Sequence, residues 1–353
     1  MNEAYPWRHL ILAASAIAVG VVILTVLLFR RLWTAESPSR KMCVNLSVTL
    51  VTLLIVLICI EIFFRFFVAQ SDNFGFTLSR KNWDERYWHP INSLGYRDIE
   101  HSRSSLAGRK ILFVVGDSFA AGAGIKKCQD RFSDLLQERL KNTWAVINIA
   151  MSGWATGQEQ NAQLAYPFAT PDVIVFSYYI NDIEAACAEA GISRPSLIEQ
   201  PSSIFGWLVN SSHLLNYFYW RLYRLSGEQD LNRTYWQYLN RCYSDEKSWT
   251  IHKNELLQVS NYSKAYNIRL IVVVFPELGE INGSRSITDK VVGFLHQQGV
   301  EVLDLAPLLT GRKTRELVVN NFDHHPSVLL HHEIADRLAE ILISRQSDGF
   351  QPE

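Results

Sequence analysis

The chain has 353 residues, 48% of them hydrophobic and 20% charged, with 34 Lys and Arg against 35 Asp and Glu. That composition excludes an intrinsically disordered chain, which combines low hydrophobicity with high net charge, and the near-zero net charge removes the electrostatic basis for nucleic-acid binding. The apolar residues are unevenly spread, and the N-terminal fifth reads as membrane.

Residues 10–29 carry no charge, nor do 43–60, and each run is close to the length that crosses a hydrocarbon layer about 30 Å thick as a helix. They predict a membrane hairpin over 1–68, with helices at about 10–29 and 43–64 and the lipid bilayer as partner. A cleaved signal peptide is the rival reading of the first run. Its length, the Arg30 and Arg31 that end it, and the lack of a small-residue cleavage site oppose that reading. Past the second run, Phe63, Phe64, Phe66 and Phe67 interleave with charge as an interfacial girdle would. The loop between the runs holds Arg30, Arg31, Arg40 and Lys41 against Glu36, whereas the N-terminus offers Arg8. By the positive-inside rule the loop is cytoplasmic, and everything after Val68 is expected on the outer side, periplasmic or extracellular.

A polar lead-in over 69–108 precedes a domain expected at 109–346. Short aliphatic runs at 111–115, 145–149, 173–177, 269–275 and 300–305 read as strands buried on both faces. Amphipathic stretches at 132–141, 158–166, 254–266, 287–298 and 328–344 alternate with them. The fold class is therefore α/β, three layers with a mostly parallel five-stranded sheet in the middle. Residues 195–249 are too many for a simple crossover and predict a helical insertion rich in Trp, Tyr and Phe. It is either a small subdomain that buries those rings, a cap over a site, or a surface at the membrane interface. A polar tail closes the chain at 347–353.

In open α/β sheets ligands gather beyond the carboxyl ends of the strands. Gly116, Asp117 and Ser118 follow the first strand, so Ser118 can present its hydroxyl to that crevice and its own N–H to a reacting oxygen. Gly153 follows the second strand and can offer an unobstructed N–H; Asn181 and Asp182 follow the third, where they either serve an oxyanion or cap the next helix. Before the last helix stand Asp323, His324, His325 and Pro326. A carboxylate two residues from an imidazole can fix its tautomer and stabilise its cation, and the imidazole can take the serine proton. His324 is the rival base, and His331 with His332 admits a metal-site reading that no Cys or carboxylate spacing completes.

The order of these four blocks resembles the SGNH (GDSL-like) hydrolase superfamily, in the manner of membrane-tethered bacterial members. The likeness runs from about residue 92 to 342 and includes the lead-in Asn92, Ser93, Leu94, Gly95, Tyr96, Arg97 and Asp98. It implies a flavodoxin-like fold, with Ser118 as nucleophile and His325 and Asp323 as the rest of a triad. Ser118, Gly153 and Asn181 would form the oxyanion hole, supported by Asp117 and Asp182, and no cofactor is called for. Pro326 after His325 favours that histidine over His324. Two positions depart from the family pattern: Tyr179 stands where the third block has glycine, and the Asp precedes the His by two residues instead of three.

The expected chemistry is attack of Ser118 on an ester carbonyl and formation of an acyl-enzyme. Water as acceptor makes an esterase or deacetylase acting on O-acyl groups of cell-envelope glycans or lipids, and a sugar hydroxyl makes an O-acetyltransferase. A catalytically silent membrane-anchored glycan-binding protein is a third reading. Outside the membrane runs stand Cys128, Cys187 and Cys242, open to one disulfide, Cys187 with Cys242, or to three free thiols.

Overall fold

The structure is a computed structural model and describes residues 38–347 apart from 196, 197, 199 and 202. The membrane helix expected at 10–29 and the tail beyond 347 lie outside the described residues. The chain divides into two compact units, one built from 38–69 and 201–222, the other from 70–200 and 223–347. In chain order the main elements are α1 (Pro38–Phe67), α2 (Leu78–Tyr87), β1 (Lys110–Gly116), α3 (Ser118–Ala121) and α4 (Phe132–Leu140). There follow β2 (Trp144–Ala150), α5 (Thr156–Leu164), β3 (Val173–Tyr179), α6 (Glu184–Glu189), α7 (Ser203–Ser211) and α8 (His213–Ser244). The last are α9 (Glu246–Ala265), β4 (Arg269–Phe275), α10 (Ile281–Gln297), β5 (Glu301–Asp304), β6 (Val318–Asn320), β7 (Asp323–Pro326) and α11 (Val328–Ser347).

In the first unit α1 contains the one helix among the described residues that is long and apolar enough to cross a membrane, Val44–Phe67, and none of its most apolar window is buried. Glu61 on α1 meets the start of α8, accepting from Ser212 Oγ at 2.7 Å and from the backbone N–H groups of His213 and Leu214 at 2.9 Å each. Those N–H groups have no partner inside the helix, and a carboxylate there also faces the positive end of the helix dipole. Arg65, one turn on, donates to Glu61 at 2.9 Å and to the Ser211 carbonyl at 3.1 Å. Phe64 packs on Tyr217 and Phe218, with ring centroids 4.8 and 5.6 Å apart. The apolar helix thus carries its own polar socket for the turn between α7 and α8.

The second unit is built on a parallel sheet of order β2-β1-β3-β4-β5. Alternation along β1 divides its side chains between two cores, as the period of a strand requires. Phe113 and Val115 enter the core closed by α5, α9, α10 and the end of α8; Leu112 and Val114 enter the one closed by α4 and α11. α9 begins at Glu246 and not at 254, because Asp245 caps it by accepting from the Ser248 N–H at 2.8 Å. The aromatic insertion divides: Tyr238 and Tyr243 are buried in the sheet domain's core, while Phe205, Trp207 and Phe218 of the first unit stay exposed. The segment before the last helix is not a loop, because β6 and β7 pair antiparallel as a hairpin.

Cys187 on α6 and Cys242 on α8 form a disulfide that closes a 55-residue loop around the insertion, while Cys128 remains a buried thiol. In the chain-entropy picture a loop of that size removes about 4 kcal/mol of freedom from the unfolded chain. Replacing both half-cystines by alanine is expected to lower the unfolding free energy by about 2–4 kcal/mol, measured by denaturant titration. A non-reducing peptide map should recover the cross-linked pair.

Candidate active site

The sheet order places a topological switch point between β1 and β3, since the connection leaving β1 runs one way to build β2 and the connection leaving β3 runs the other way to build β4. Ser118 and Asn181 follow those two strands. β1 runs into Gly116, where an added Cβ would lie 2.7 Å from the Ser177 Cβ and 2.9 Å from the Ala120 Cβ, so only glycine lets the chain turn this tightly against β3. Asp117 then caps the short helix α3, accepting from the Phe119 N–H at 2.8 Å, with the Ser118 hydroxyl 3.4 Å from its other oxygen.

The loop after α3 is held from the lead-in. Arg97, 1% exposed, donates to the carbonyls of Gly122 at 2.6 Å, Ile125 at 2.7 Å and Tyr87 at 2.7 Å, and lies 4.7 Å over the Trp88 ring. Burial lowers its pKa to about 10, so it stays charged at neutral pH. Arg131 in turn donates to the Arg97 carbonyl and pairs with Asp134 at 2.8 Å.

The other half comes from β7. β7 carries one residue more than the β6 stretch it pairs with, a bulge that falls within residues 323–326, and Asp323 and His325 meet there. His325 Nε2 lies 2.9 Å from Ser118 Oγ, and His325 Nδ1 and its backbone N–H both meet Asp323 Oδ1. Asp323 is fully buried, and its second oxygen accepts from Ser71. Burial would raise the Asp323 pKa, but the charge and hydrogen bonds of His325, with Ser71, outweigh it and hold the carboxyl far below its ordinary range. Burial would likewise depress His325, but Asp323, with Asp117 behind it, holds the imidazole above its ordinary value.

A cavity of 640 Å³ opens on this group, lined by Ser118, His325, Asn181, Tyr179, Arg224 and Trp236 among others. Gly153 does not line it. That glycine, in the left-handed region at φ +83°, borders an adjoining hollow that shares Asn181 and Arg194 with the first. Asp182 is fully buried and accepts from the Tyr179 N–H at 3.1 Å; burial and the neighbouring Glu159 push its pKa well up. His324 faces Glu277, 3.6 Å away, on the cavity wall. His331 is a core residue, stacked on Phe132 and accepting from the Phe132 N–H at 3.2 Å, with burial lowering its pKa to about 3.

Sequence reasoning missed Ser71, Arg80 and Glu277. Glu277 accepts from the Tyr179 hydroxyl at 2.5 Å, and the Tyr179 ring stacks on Phe119 at 4.1 Å, so the residue in the glycine's place forms a wall of the cavity. No spacing marks these residues, because each reaches the site from a segment far away in the chain. Chemically, the group combines a hydroxyl, a base whose second nitrogen is fixed by a buried carboxylate, and room for a carbonyl carbon beside them.

No family model matches the chain, and no curated protein matches it. Among solved structures it is similar to a protein assigned to the lipolytic G-D-S-L family from Desulfitobacterium hafniense DCB-2, with 11% identity, TM-score 0.41 and coverage of 66% of this chain and 99% of that one. It is similar to the psychrotrophic esterase EstA from Pseudoalteromonas sp., with 13% identity, TM-score 0.39 and coverage of 67% and 99%. It is also similar to Est24, a carbohydrate acetylesterase from Sinorhizobium meliloti, with 11% identity, TM-score 0.37 and coverage of 67% and 100%.

The two shifts have opposite consequences for stability. The raised His325 contributes fully below its ordinary 6.5 and loses that contribution as pH climbs through its folded value. The depressed Asp323 contributes above its ordinary 3.8 and loses it as pH falls through its folded value. The destabilisation caused by Asp323→Asn is therefore expected to be largest between pH 3.8 and 6.5. Denaturant titrations of both proteins across pH check this, and NMR of the His325 ring should show its midpoint falling in the variant.

Proposed function

We propose that the sheet domain is a serine hydrolase of the SGNH (GDSL-like) superfamily that cleaves carboxylic esters through an acyl-enzyme. The observation that carries this reading is the contact chain from Ser118 Oγ to His325 Nε2 and from His325 Nδ1 to Asp323, at the switch point of the sheet. Ser118 attacks the ester carbonyl as its proton passes to His325 Nε2; the imidazolium is stabilised by Asp323, which stays ionised. The tetrahedral oxyanion is received by the Ser118 N–H and the Asn181 amide, whose residues share the cavity, with Asp117 and Asp182 fixing the turns that carry them. His325 returns the proton to the leaving alcohol. It then takes one from the acceptor that attacks the acyl-enzyme.

Water as acceptor makes an esterase or deacetylase, and a sugar hydroxyl makes a transferase with the same residues. Trp236 and Tyr235 line the cavity together with Arg194 and Arg224, a mixture of ring faces and polar groups suited to an acylated sugar. We further propose that Val44–Phe67 anchors the protein in the bilayer with the sheet domain on the outer side. A disulfide supports that side, since such bonds persist in oxidising compartments.

Ser118→Ala is expected to abolish covalent labelling by a fluorophosphonate and to lower ester turnover on the order of 10³-fold or more, as is His325→Ala for turnover. A fall of only a few-fold in either would sink the assignment. With an acetylated oligosaccharide as donor, release of free acetate at a rate unchanged by added acceptor sugar identifies the hydrolase, and formation of acetylated acceptor identifies the transferase. The labelling rate should rise with pH through a midpoint above 6.5, the ordinary value of an imidazole, because only neutral His325 can take the serine proton.

A further inference from the structure

Asp323 uses both of its oxygens, and the second is served from a segment more than two hundred residues away. Oδ1 faces His325, while Oδ2 takes the hydroxyl of Ser71, which is 2% exposed. The direction of that bond is fixed by what surrounds the serine. Arg80 Nη1 donates to Ser71 Oγ at 3.2 Å, and an arginine has no acceptor to offer in return. The single proton of the Ser71 hydroxyl is thereby left for the carboxylate.

The backbone around Ser71 is clamped to the hairpin that carries Asp323. Asn320 Nδ2 donates to the Ser71 carbonyl at 3.1 Å, and the Asn73 N–H donates to the Phe322 carbonyl at 2.9 Å. The His324 N–H donates to Asn73 Oδ1 at 3.3 Å. Arg80 is itself held by Asp84 at 2.9 Å. From the opposite side Gly124 lets the chain come close, because a Cβ there would stand 3.0 Å from Asp323 Oδ2.

We propose that Ser71 is a positioning residue of the reaction, a fourth member of the relay that fixes the Asp323 carboxylate so that Oδ1 meets His325 Nδ1. The proposal rests on the serine-hydrolase reading. It assigns a chemical role to the lead-in: residues 70–84 complete the site, with Ser71 as the contact and Arg80 as its support. With that hydroxyl gone, the carboxylate's charge is shared with one donor fewer and its rotation is no longer stopped. His325 then holds its proton more tightly and presents Nε2 to Ser118 less often.

The test is the rate of fluorophosphonate labelling of the full chain across pH, for the wild type and for Ser71→Ala, Ser71→Cys and Ser71→Thr. Ser71→Ala is expected to label about 10- to 100-fold more slowly on its plateau, the size of effect seen when a charged group loses a supporting hydrogen bond. Its pH midpoint should move up. The other charged groups that bear on the relay, Asp117 and Arg80 toward His325 and Asp84 toward Asp323, are the same in both proteins. Ser71→Thr should recover most of the rate. Ser71→Cys keeps the volume with a weaker donor and should fall between, so it tests the idea even if the alanine variant unfolds. In an Asp323→Asn background Ser71→Ala should add little. Labelling of Ser71→Ala and Ser71→Cys at the wild-type rate and midpoint would overturn the proposal, as would an equal fall in the Asp323→Asn background. A wild type that does not label at all would instead overturn the hydrolase reading, and this proposal with it.

Discussion

An ionised carboxylate closed off from water is expensive to keep, and the Asp323 site is organised around meeting that cost. Removing such a charge from solvent is tolerated only when hydrogen bonds and an opposite charge replace the lost hydration. Here the replacements are three donors: the backbone and ring of His325 on one oxygen and the Ser71 hydroxyl on the other. The raised imidazole, the position of the lead-in and the pairing of β6 with β7 all follow from holding that one charge in place. The same arrangement stabilises the cationic form of His325, which is why its pKa is raised in spite of burial.

Cations do the corresponding work on the serine side, though as braces and not as reactants. Arg97 collects carbonyls from the turn after α3 and from the end of α2, and it sits against the Trp88 and Trp83 rings. A guanidinium suits this task because its fixed fork of donors can hold several carbonyls at once, and its flat face tolerates an aromatic neighbour. Arg131 extends the brace to Asp134 and to the backbone of Arg97. The motif that runs from Asn92 to Asp98 is thus a clamp on the serine turn.

Much of this was legible in the chain itself. The runs at 111–115, 145–149 and 173–177 are buried on both faces, so their continuous apolar character gives strands and a parallel sheet directly, and the residues just past the first and third of them fall at the switch point. Asp323 and His325 were visible as a pair, but not the reason a two-residue spacing serves, because β6 and β7 are too short and too polar for any period to appear. The start of α9 was hidden because its cap, Asp245, lies among residues that read as insertion. Ser71, Arg80 and Glu277 left no trace, since a long-range hydrogen bond imposes no periodicity and no composition on the segment that makes it. The aromatic insertion could not be divided from sequence either: Tyr243 and Phe218 belong to different units, yet their local surroundings in the chain look alike.

The hairpin does not pair evenly. From Val318 to Asn320 is two steps on β6, while the facing stretch from Pro326 back to Asp323 is three steps on β7, so β7 carries one residue more than its partner, in the stretch that holds His324 and His325. A bulge of this kind bends a strand and re-aims the side chains beside it. Deleting one residue here to restore an even ladder would redirect the imidazole and part it from the buried acid, so the surplus residue belongs to the architecture of the pair as much as the two side chains do.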